Sequence, residues 1–332
     1  MRIFQKIIKY AAFLLAATIV LSFIFFFVGK SRPAADIRWG VNFSYSHAEE
    51  LGLDWQETYL TFLDELGVKR FKLITQWDLL EPSPGKFDFE AVDWQLREAE
   101  KRGARAFLVL GMKTPRYPEC HIPGWAANFS QKEREAAVLN FLEASIKHFK
   151  ETPTIWAWQI ENEPLFPFGE CPEMRKEFWR EEINLVKSLD PARPVIATDS
   201  GEWSLWFQAA RVGDIVGTTL YRKVWFKELD IYTPYPLPPV FYGRKAWLVK
   251  FLFGKDVINV ELQAEPWGPT LLYDLPLEEQ DKTMNLERFK KIISYAKNTG
   301  MSEFYFWGAE WWHWLKEADN NSAIWEEAKK LF

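Results

Sequence analysis

The chain has 332 residues, a formal net charge of -5 and 18 tryptophans. The acidic excess leaves no basic surplus of the kind that nucleic acid partners require, and the length fits one large domain or two ordinary ones. Large flat side chains at this density predict a strongly aromatic core or a surface that stacks on rings.

An apolar run from Ala11 to Val28 is the first feature of the chain. At about 1.5 Å per residue, a helix of this length nearly crosses the hydrocarbon core of a bilayer. More positive charge precedes the run than follows it, which predicts a cytoplasmic N-terminus and an extracytoplasmic body. A cleaved signal usually has a shorter apolar run, and Pro33 disfavours the candidate cleavage site "SRPAAD". We therefore expect residues 1–29 to be a cytoplasmic stub with an uncleaved signal anchor, and 30–35 to be a linker.

Strand-like and helix-like segments alternate through residues 36–332. The eight strand candidates begin at Ile37, Val68, Ala104, Thr154, Pro194, Asp214, Asp256 and Glu303. The intervening segments, such as "DWQETYLTFLDELG" and "NLERFKKIISYAKNTG", have apolar residues at helical spacing, and several end in Gly. Eight strand–helix units without a Gly-rich phosphate loop predict an α/β fold, a (β/α)8 TIM barrel, over a doubly wound sheet.

Glutamates lie at the ends of the fourth and seventh predicted strands. In "WAWQIENEP", period-two alternation puts Glu161 and Glu163 on one face, and in "VINVELQAEPWG" it points Val257, Asn259 and Glu261 into the barrel. Active sites of TIM barrels lie at the C-terminal ends of the strands. Two carboxylates there are what retaining glycoside hydrolysis requires, one as acid/base and one as nucleophile.

Two further glutamates in these segments receive other roles. Glu265 lies beyond the seventh strand beside Pro266, where alternation cannot give its direction, so we expect it to be a cleft or substrate-binding residue. Glu161 would lie one layer deeper than the mouth of the barrel. Because a buried carboxylate must be paired, we expect it to be a supporting residue that pairs with Arg70 or Lys72.

These segments resemble the clan A retaining glycoside hydrolases, which are TIM-barrel enzymes. "QIENEP" is similar to their "NEP" signature, and "WQIENE" is similar to the form in family 42 β-galactosidases. "QWDLLEPSPGKFDFEAVD", from Gln76 to Asp93, is similar to a stretch that the clan carries after strand two. The resemblance covers Ile37 to Phe332 and includes family 5 type enzymes. It implies β-glycosidase activity without a cofactor.

The resemblance also implies roles for residues at four strand ends. It makes Glu163 the acid/base, Glu261 the nucleophile and Asn162 the donor to the sugar 2-hydroxyl. Tyr221, at the end of strand six, lies where the clan often keeps a residue that orients the nucleophile. Trp307, at the end of strand eight, matches the platform under the sugar, with a core position as the alternative.

The strand-two motif is the other source of predicted site residues. Trp77 in this motif is expected to bind substrate. The clan usually carries an Arg at the position of Lys72, and Arg70 is the only Arg nearby. Both cations fall in the same inward phase, so the sequence leaves open which one lies beside the nucleophile.

Cys120 and Cys171 are the only cysteines. They follow strands three and four, in neighbouring loops of the catalytic face, so we expect a disulfide bond in an oxidising compartment. The four histidines lack metal-ligand spacing and no G-x-S-x-G elbow occurs, so neither a metal site nor an esterase site is predicted.

The segment after strand six is long, aromatic and rich in proline. It is typical of an active-site lid or a cleft wall, and membrane contact is a second interpretation. From Gly243 onward we expect an ordinary barrel helix.

Together these features predict a single-pass membrane protein with an extracytoplasmic catalytic domain. Its expected activity is retaining hydrolysis of β-linked extracellular or cell-surface oligo- or polysaccharide. The expected partners are carbohydrate and the membrane around the N-terminal helix. A non-catalytic carbohydrate-binding barrel and a transglycosylase are the alternatives, and the complete carboxylate pair favours catalysis over binding alone.

Overall fold

The structure is a computed structural model that describes residues 2–227 and 229–332. Eight parallel strands close into a barrel in the order β1-β10-β9-β6-β5-β4-β3-β2. The barrel strands are β1 Arg38–Phe43, β2 Arg70–Ile74, β3 Arg105–Leu110, β4 Ile155–Ile160, β5 Val195–Asp199, β6 Ile215–Leu220, β9 Asp256–Gln263 and β10 Glu303–Trp307. Each begins within two residues of its predicted start, and the predicted TIM barrel is confirmed.

Helices follow the barrel strands and cover the outside of the barrel. They are α2 Tyr45–Glu50, α3 Trp55–Asp64, α4 Trp77–Leu80, α5 Glu90–Lys101, α6 Gln131–Phe149, α7 Lys176–Leu189, α8 Phe207–Val212, α9 Pro239–Phe253, α10 Leu277–Gln280, α11 Leu286–Lys297, α12 Ala309–Ala318 and α13 Ala323–Lys329. Local sequence fixes several starts. For example, Ser130 and Glu133 form a capping box at α6, in which each side chain accepts a hydrogen bond from the other residue's backbone N–H.

The core has two layers. The outer layer lies between the strands and the helices. The inner layer fills the barrel and includes Phe107, Val260 and Tyr305. The Phe107 and Tyr305 rings meet across the interior with centroids 4.8 Å apart. Gly40 makes room for them, because a Cβ atom there would lie 2.6 Å from the Tyr305 ring. The filled interior leaves the C-terminal ends of the strands as the mouth of the barrel.

Helix α1, Arg2–Phe27, precedes the barrel. Its segment Phe4–Phe27 is long and apolar enough to cross a membrane. Its last turn contacts the barrel domain, where the rings of Phe26 and Phe27 pack on Phe241 of α9. The N-terminal apolar helix predicted from the sequence is therefore present as a candidate membrane span.

The segment after β6 forms an antiparallel hairpin, β7 Lys223–Phe226 and β8 Ile231–Pro234, before α9. Val224 and Tyr235 join an apolar cluster with Tyr221 and Trp307 at the mouth of the barrel. This placement agrees with the predicted cleft wall. Helix α9 begins at Pro239, four residues before the predicted Gly243, because Pro is compatible with the first turn of a helix.

Candidate active site

Glu163 and Glu261 come together at the mouth of the barrel. Thr219, on β6, links them, because its Cα atom is in register with that of Glu261 and its hydroxyl donates a 2.9 Å hydrogen bond to Glu163 Oε1. The two carboxyl groups are close enough for the charge of Glu261 to raise the pKa of Glu163. They can therefore act on the same bound molecule.

Glu261 is held by one donor on each oxygen. Lys72 Nζ donates to Oε1 over 2.7 Å, and the Tyr221 hydroxyl donates to Oε2 over 2.8 Å. All three side chains are at least nine-tenths buried. Charge-assisted hydrogen bonds of this kind fix the direction of a carboxylate as well as its charge. Tyr221, which the resemblance implied would orient the nucleophile, thus donates to Glu261.

Lys72 is the cation beside Glu261, and Arg70 is not. Burial lowers the pKa of Lys72, and the adjacent charge of Glu261 opposes that effect. Arg70 begins β2 at the opposite end of the barrel, where its Nη1 lies 3.7 Å from Glu303 Oε1. The predicted pairing of Glu161 with one of these two cations is wrong, because both have other carboxylate partners.

Glu163 has the environment of a general acid. Burial raises its pKa well above 4.5, and the charge of Glu261 raises it further. A hydrogen bond from Thr219 opposes these effects. The backbone N–H of Glu163 donates to Thr198 Oγ1 over 2.9 Å. The carboxyl group therefore keeps its proton to a higher pH than an exposed glutamate, while its backbone is fixed by β5.

A β-bulge at Val260 turns Glu261 toward the mouth. Two consecutive residues of β6 lie opposite Asn259 and Glu261, which leaves Val260 as the extra residue. Ile258 and Val260 pack inside the barrel, whereas Val257 packs on the outer core. The predicted inward direction of Val257 is therefore wrong, and Glu261 faces inward because the bulge breaks regular alternation.

Glu161 does not share a face with Glu163, and that prediction is also wrong. Its φ of 61° ends the extended conformation of β4 immediately after residue 160. The carboxylate turns to the end of β3, where it accepts hydrogen bonds from the backbone N–H groups of Met112 (2.8 Å) and Lys113 (2.5 Å). It also meets the buried Glu182 carboxyl of α7, and burial followed by the charge of Glu161 raises the pKa of Glu182 well above 4.5. Glu161 therefore joins the end of β3 to the start of the loop after β4.

Asn162 reaches the mouth beside a carboxyl group that the sequence analysis missed. Its Nδ2 donates to Glu119 Oε2 over 3.3 Å, and its Oδ1 accepts from Gln159 Nε2 over 3.2 Å. Burial raises the pKa of Glu119 to about 8, opposed first by the charge of Lys113 and reinforced by that of Glu261. Glu119 is therefore a third acidic group of the mouth and is protonated at neutral pH.

Glu265 and Trp307 share a buried partner, Arg116, which the sequence analysis also missed. Arg116 Nη1 donates to Glu265 Oε1 over 2.6 Å, Nη2 donates to Glu310 Oε2 over 3.2 Å, and the guanidinium lies 4.0 Å from the Trp307 ring centroid. Burial favours a higher pKa for Glu265, but the Arg116 charge and the His47 ring outweigh it and lower the pKa. Glu265 is thus a charged partner of Arg116, and Trp307 is a ring of the mouth with the Arg116 guanidinium beside it.

Trp77 does not line the mouth, and its predicted contact with substrate is wrong. The side chain is fully buried, and its ring packs on Trp125 and Phe141. Its Nε1 donates to Glu81 Oε2 over 2.7 Å, and Glu81 Oε1 accepts from the N–H of Gly85 over 2.8 Å. The W-x-x-x-E-P stretch therefore closes a turn after β2 and supports the fold.

The loops after β3 and β4 are joined by a disulfide bond between Cys120 and Cys171, whose Cα atoms are 5.2 Å apart. This is the predicted pairing. It tethers the loop that carries Arg116 and Glu119.

In the ranges 2–227 and 229–332, no group of three or more His, Cys, Asp or Glu side chains is arranged to hold a metal ion.

Solved structures with a similar fold include glycoside hydrolases. GH5_18 from Streptomyces cattleya in complex with GlcNAc has a TM-score of 0.57 at 14% identity, over 82% of this chain and 71% of that chain. The exo-beta-1,4-mannosidase Op5Man5 from Opitutaceae bacterium strain TAV5 has 0.57 at 15% identity, over 84% and 53%. The family 10 endo-beta-1,4-xylanase from Gloeophyllum trabeum has 0.58 at 13% identity, over 83% and 85%.

No protein-family model matches the sequence. At these identities the likeness establishes the fold, which is that of the clan A glycoside hydrolase barrels, and the resemblance found in the sequence motifs is confirmed at that level.

Proposed function

We propose that the protein is a retaining β-glycoside hydrolase that acts by double displacement. The observation that carries the proposal is the contrast between two neighbouring carboxyl groups. Glu261 is fixed by Lys72 and Tyr221, whereas burial and the charge of Glu261 raise the pKa of Glu163. Adjacent acidic groups whose environments differ in this way suit an acid and a nucleophile.

In the first step, Glu261 attacks the anomeric carbon and the bond to the leaving oxygen breaks. Glu163 gives its proton to that oxygen, and a covalent glycosyl-enzyme remains. In the second step, Glu163 takes a proton from water, the oxygen of that water attacks the anomeric carbon, and Glu261 leaves. Glu163 is then protonated again, and the sugar keeps its original configuration.

The neighbouring side chains have roles that follow from their contacts. Tyr221 directs the oxygen of Glu261 that it binds, and Lys72 balances the carboxylate charge before attack. Asn162 would donate to the sugar 2-hydroxyl, with Glu119 and Gln159 fixing its amide. Trp307 would stack under the sugar. Glu265 would hold the Arg116 guanidinium against the Trp307 ring.

The substrate class is proposed from the structural neighbours. An exo-beta-1,4-mannosidase and an endo-beta-1,4-xylanase among them support a β-linked oligo- or polysaccharide in general. We propose that α1 is an uncleaved signal anchor with a cytoplasmic N-terminus and that residues 36–332 form an extracytoplasmic catalytic domain. The apolar span and the disulfide bond support this location.

The experiment is mechanism-based trapping. A panel of 2-deoxy-2-fluoro-β-glycosides with good leaving groups should form a stable glycosyl-enzyme, and peptide mapping should find the sugar on Glu261. Glu261→Gly should lose activity and recover it with azide, which enters the vacated space and gives a glycosyl azide of inverted configuration. Glu265→Gln is the matched control, and its label should remain on Glu261.

The outcome also separates the alternatives. A transglycosylase would form the same adduct but transfer the sugar to an added acceptor in preference to water. A non-catalytic barrel would bind glycans and form no adduct. A label on Glu265 would refute the assignment of the nucleophile.

A further inference from the structure

Helix α9 exposes an apolar face beside the end of the candidate membrane span. Trp247 is 50% exposed, Phe251 70% and Leu252 53%. The Trp247 and Phe251 rings stack with centroids 5.1 Å apart, as expected for residues four positions apart on a helix. On the opposite face, Tyr242 and Val249 are buried against the barrel domain. We call the exposed surface formed by Trp247, Phe251 and Leu252 the α9 face.

The α9 face is continuous with the end of α1. The Phe25 ring lies 5.8 Å from the Trp247 ring, and the guanidinium of Arg244 lies 5.2 Å from the Phe25 ring centroid. The row Phe25, Trp247, Phe251 therefore runs from the membrane-span candidate onto the surface of the barrel domain. Upstream of this turn, α1 exposes large apolar side chains along its length, from Phe4 to Ile24.

Charge on this part of the chain has one sign. No acidic residue occurs from Tyr235 to Lys255, a stretch that contains Arg244, Lys245, Lys250 and Lys255. Lys250 is exposed, lies between Trp247 and Phe251 in the sequence, and its Nζ pairs with Asp256 over 2.8 Å, whereas Lys245 is buried over Trp206. A helix with exposed Trp, Phe and Leu and flanking basic residues is typical of segments that lie in the headgroup region of a bilayer.

We propose that the α9 face lies in the headgroup region of the same leaflet from which α1 emerges. The inference rests on the proposed insertion of α1. A span of 24 residues at about 1.5 Å per residue is long enough to cross the hydrocarbon core, so the last turn of α1 lies at the edge of that core. Because that last turn is where α1 touches α9, the exposed rings of α9 lie at the level of the lipid headgroups.

This contact would fix how the mouth of the barrel is presented. Helix α9 packs along β9, on the outer wall of the barrel. A leaflet along α9 therefore runs beside the barrel and does not lie across its C-terminal end. The mouth opens along the membrane surface, where it would meet glycans lying close to the leaflet.

Photolabelling of the full chain tests this arrangement. The protein is placed at one copy per nanodisc, in phosphatidylcholine and phosphatidylglycerol that include a phosphatidylcholine with a diazirine near the headgroup. After irradiation, the tryptic peptides 246–250 and 251–255 should carry several-fold more lipid label than peptide 73–86. That control peptide contains Leu79, which is 39% exposed and follows β2, on the far side of the barrel from α9.

Variants make the test specific. Trp247→Ser combined with Phe251→Ser and Leu252→Ser should lower labelling of α9 to the level of the control peptide, while α1 stays labelled. Leu79→Ser should change nothing. Exposed positions tolerate these changes, and an unchanged melting temperature would show that the fold is retained.

The two proposals fail in different ways. An unlabelled α1 would refute membrane insertion. A labelled α1 with α9 at the control level in the unaltered chain would refute docking of the α9 face alone. Crosslinks between α9 helices of two copies, found at higher protein density together with an unlabelled α9, would assign the face to a dimer and overturn the inference.

Discussion

At the scale of single residues, the acid role of Glu163 gives a prediction about leaving groups. Glu163→Gln keeps the size of the side chain and removes its proton, so kcat/KM should fall by about 100-fold or more with poor leaving groups. Activated aryl glycosides need little protonation and should be affected much less. The measurement is kcat/KM across an aryl leaving-group series. Equal losses across the series would contradict the assignment.

The same residue sets a pH limit. Burial and the Glu261 charge raise the pKa of Glu163 well above 4.5, so the acid form persists to a higher pH than in an exposed glutamate. Activity of the unaltered protein on poor leaving groups should fall as the pH rises through that pKa. This alkaline limb should be absent in Glu163→Gln. Glu278→Gln, a change at an exposed carboxyl, should keep the limb.

Glu119 predicts how stability changes with pH. Its pKa is about 8 in the folded protein because burial raises it from about 4.5. Between these values the folded state keeps a proton that the unfolded state has released, so this group makes the protein less stable as the pH rises. Glu119→Gln removes the effect. The melting temperature of the variant relative to the unaltered protein should therefore rise between pH 5 and pH 8.

The exposed control Glu278→Gln should show no such change in relative melting temperature. A constant difference for Glu119→Gln over this pH range would mean that Glu119 ionises normally. The same variant preserves the hydrogen bond from Asn162, because a Gln side chain can still accept from the Asn162 amide.

At the scale of elements, the disulfide bond orders the loop after β3. Cys120 and Cys171 are 51 positions apart in the sequence. For a loop of this length, the loss of chain entropy in the unfolded state gives a stabilisation of about 4 kcal/mol. Cys120→Ser combined with Cys171→Ser should lower the free energy of unfolding by up to this amount, as measured by denaturant titration. It should also weaken substrate binding, because Arg116 and Glu119 lie in that loop.

A reductant should destabilise the unaltered protein to the level of the double variant and leave the variant unchanged. Two thiols that react with a label in the native, unreduced protein would refute the pairing.

Irregular ends of two strands also explain why side-chain directions predicted from period-two alternation were wrong. The sequence places Glu261 near the end of β9, but the bulge at Val260 decides the face of each preceding residue. Likewise, Glu161 leaves the inward face because its backbone adopts φ of 61°. A period-two pattern describes regular strands, and both strand ends depart from it at the site.

At the scale of the whole molecule, the position of α1 predicts firm membrane attachment. The full chain should stay with the membrane fraction after washes with high salt and with alkaline carbonate, because a span of this length is held by apolar burial. The measurement is fractionation followed by N-terminal sequencing. A soluble protein whose N-terminus lies near Asp36 would show that the helix is removed as a signal.

The sequence by itself determined the barrel, because eight apolar strands and the helices between them can bury their surfaces in few other ways. It also supplied the two glutamates at strand ends and the cysteine pair. The tertiary structure alone decided that Lys72 and not Arg70 meets Glu261, and that Trp77 supports a turn. It also placed Arg116 and Glu119 at the mouth of the barrel, beside the other site residues. These two lie in an irregular loop, where no periodicity gives direction, and their partners are 149 and 43 residues away along the chain.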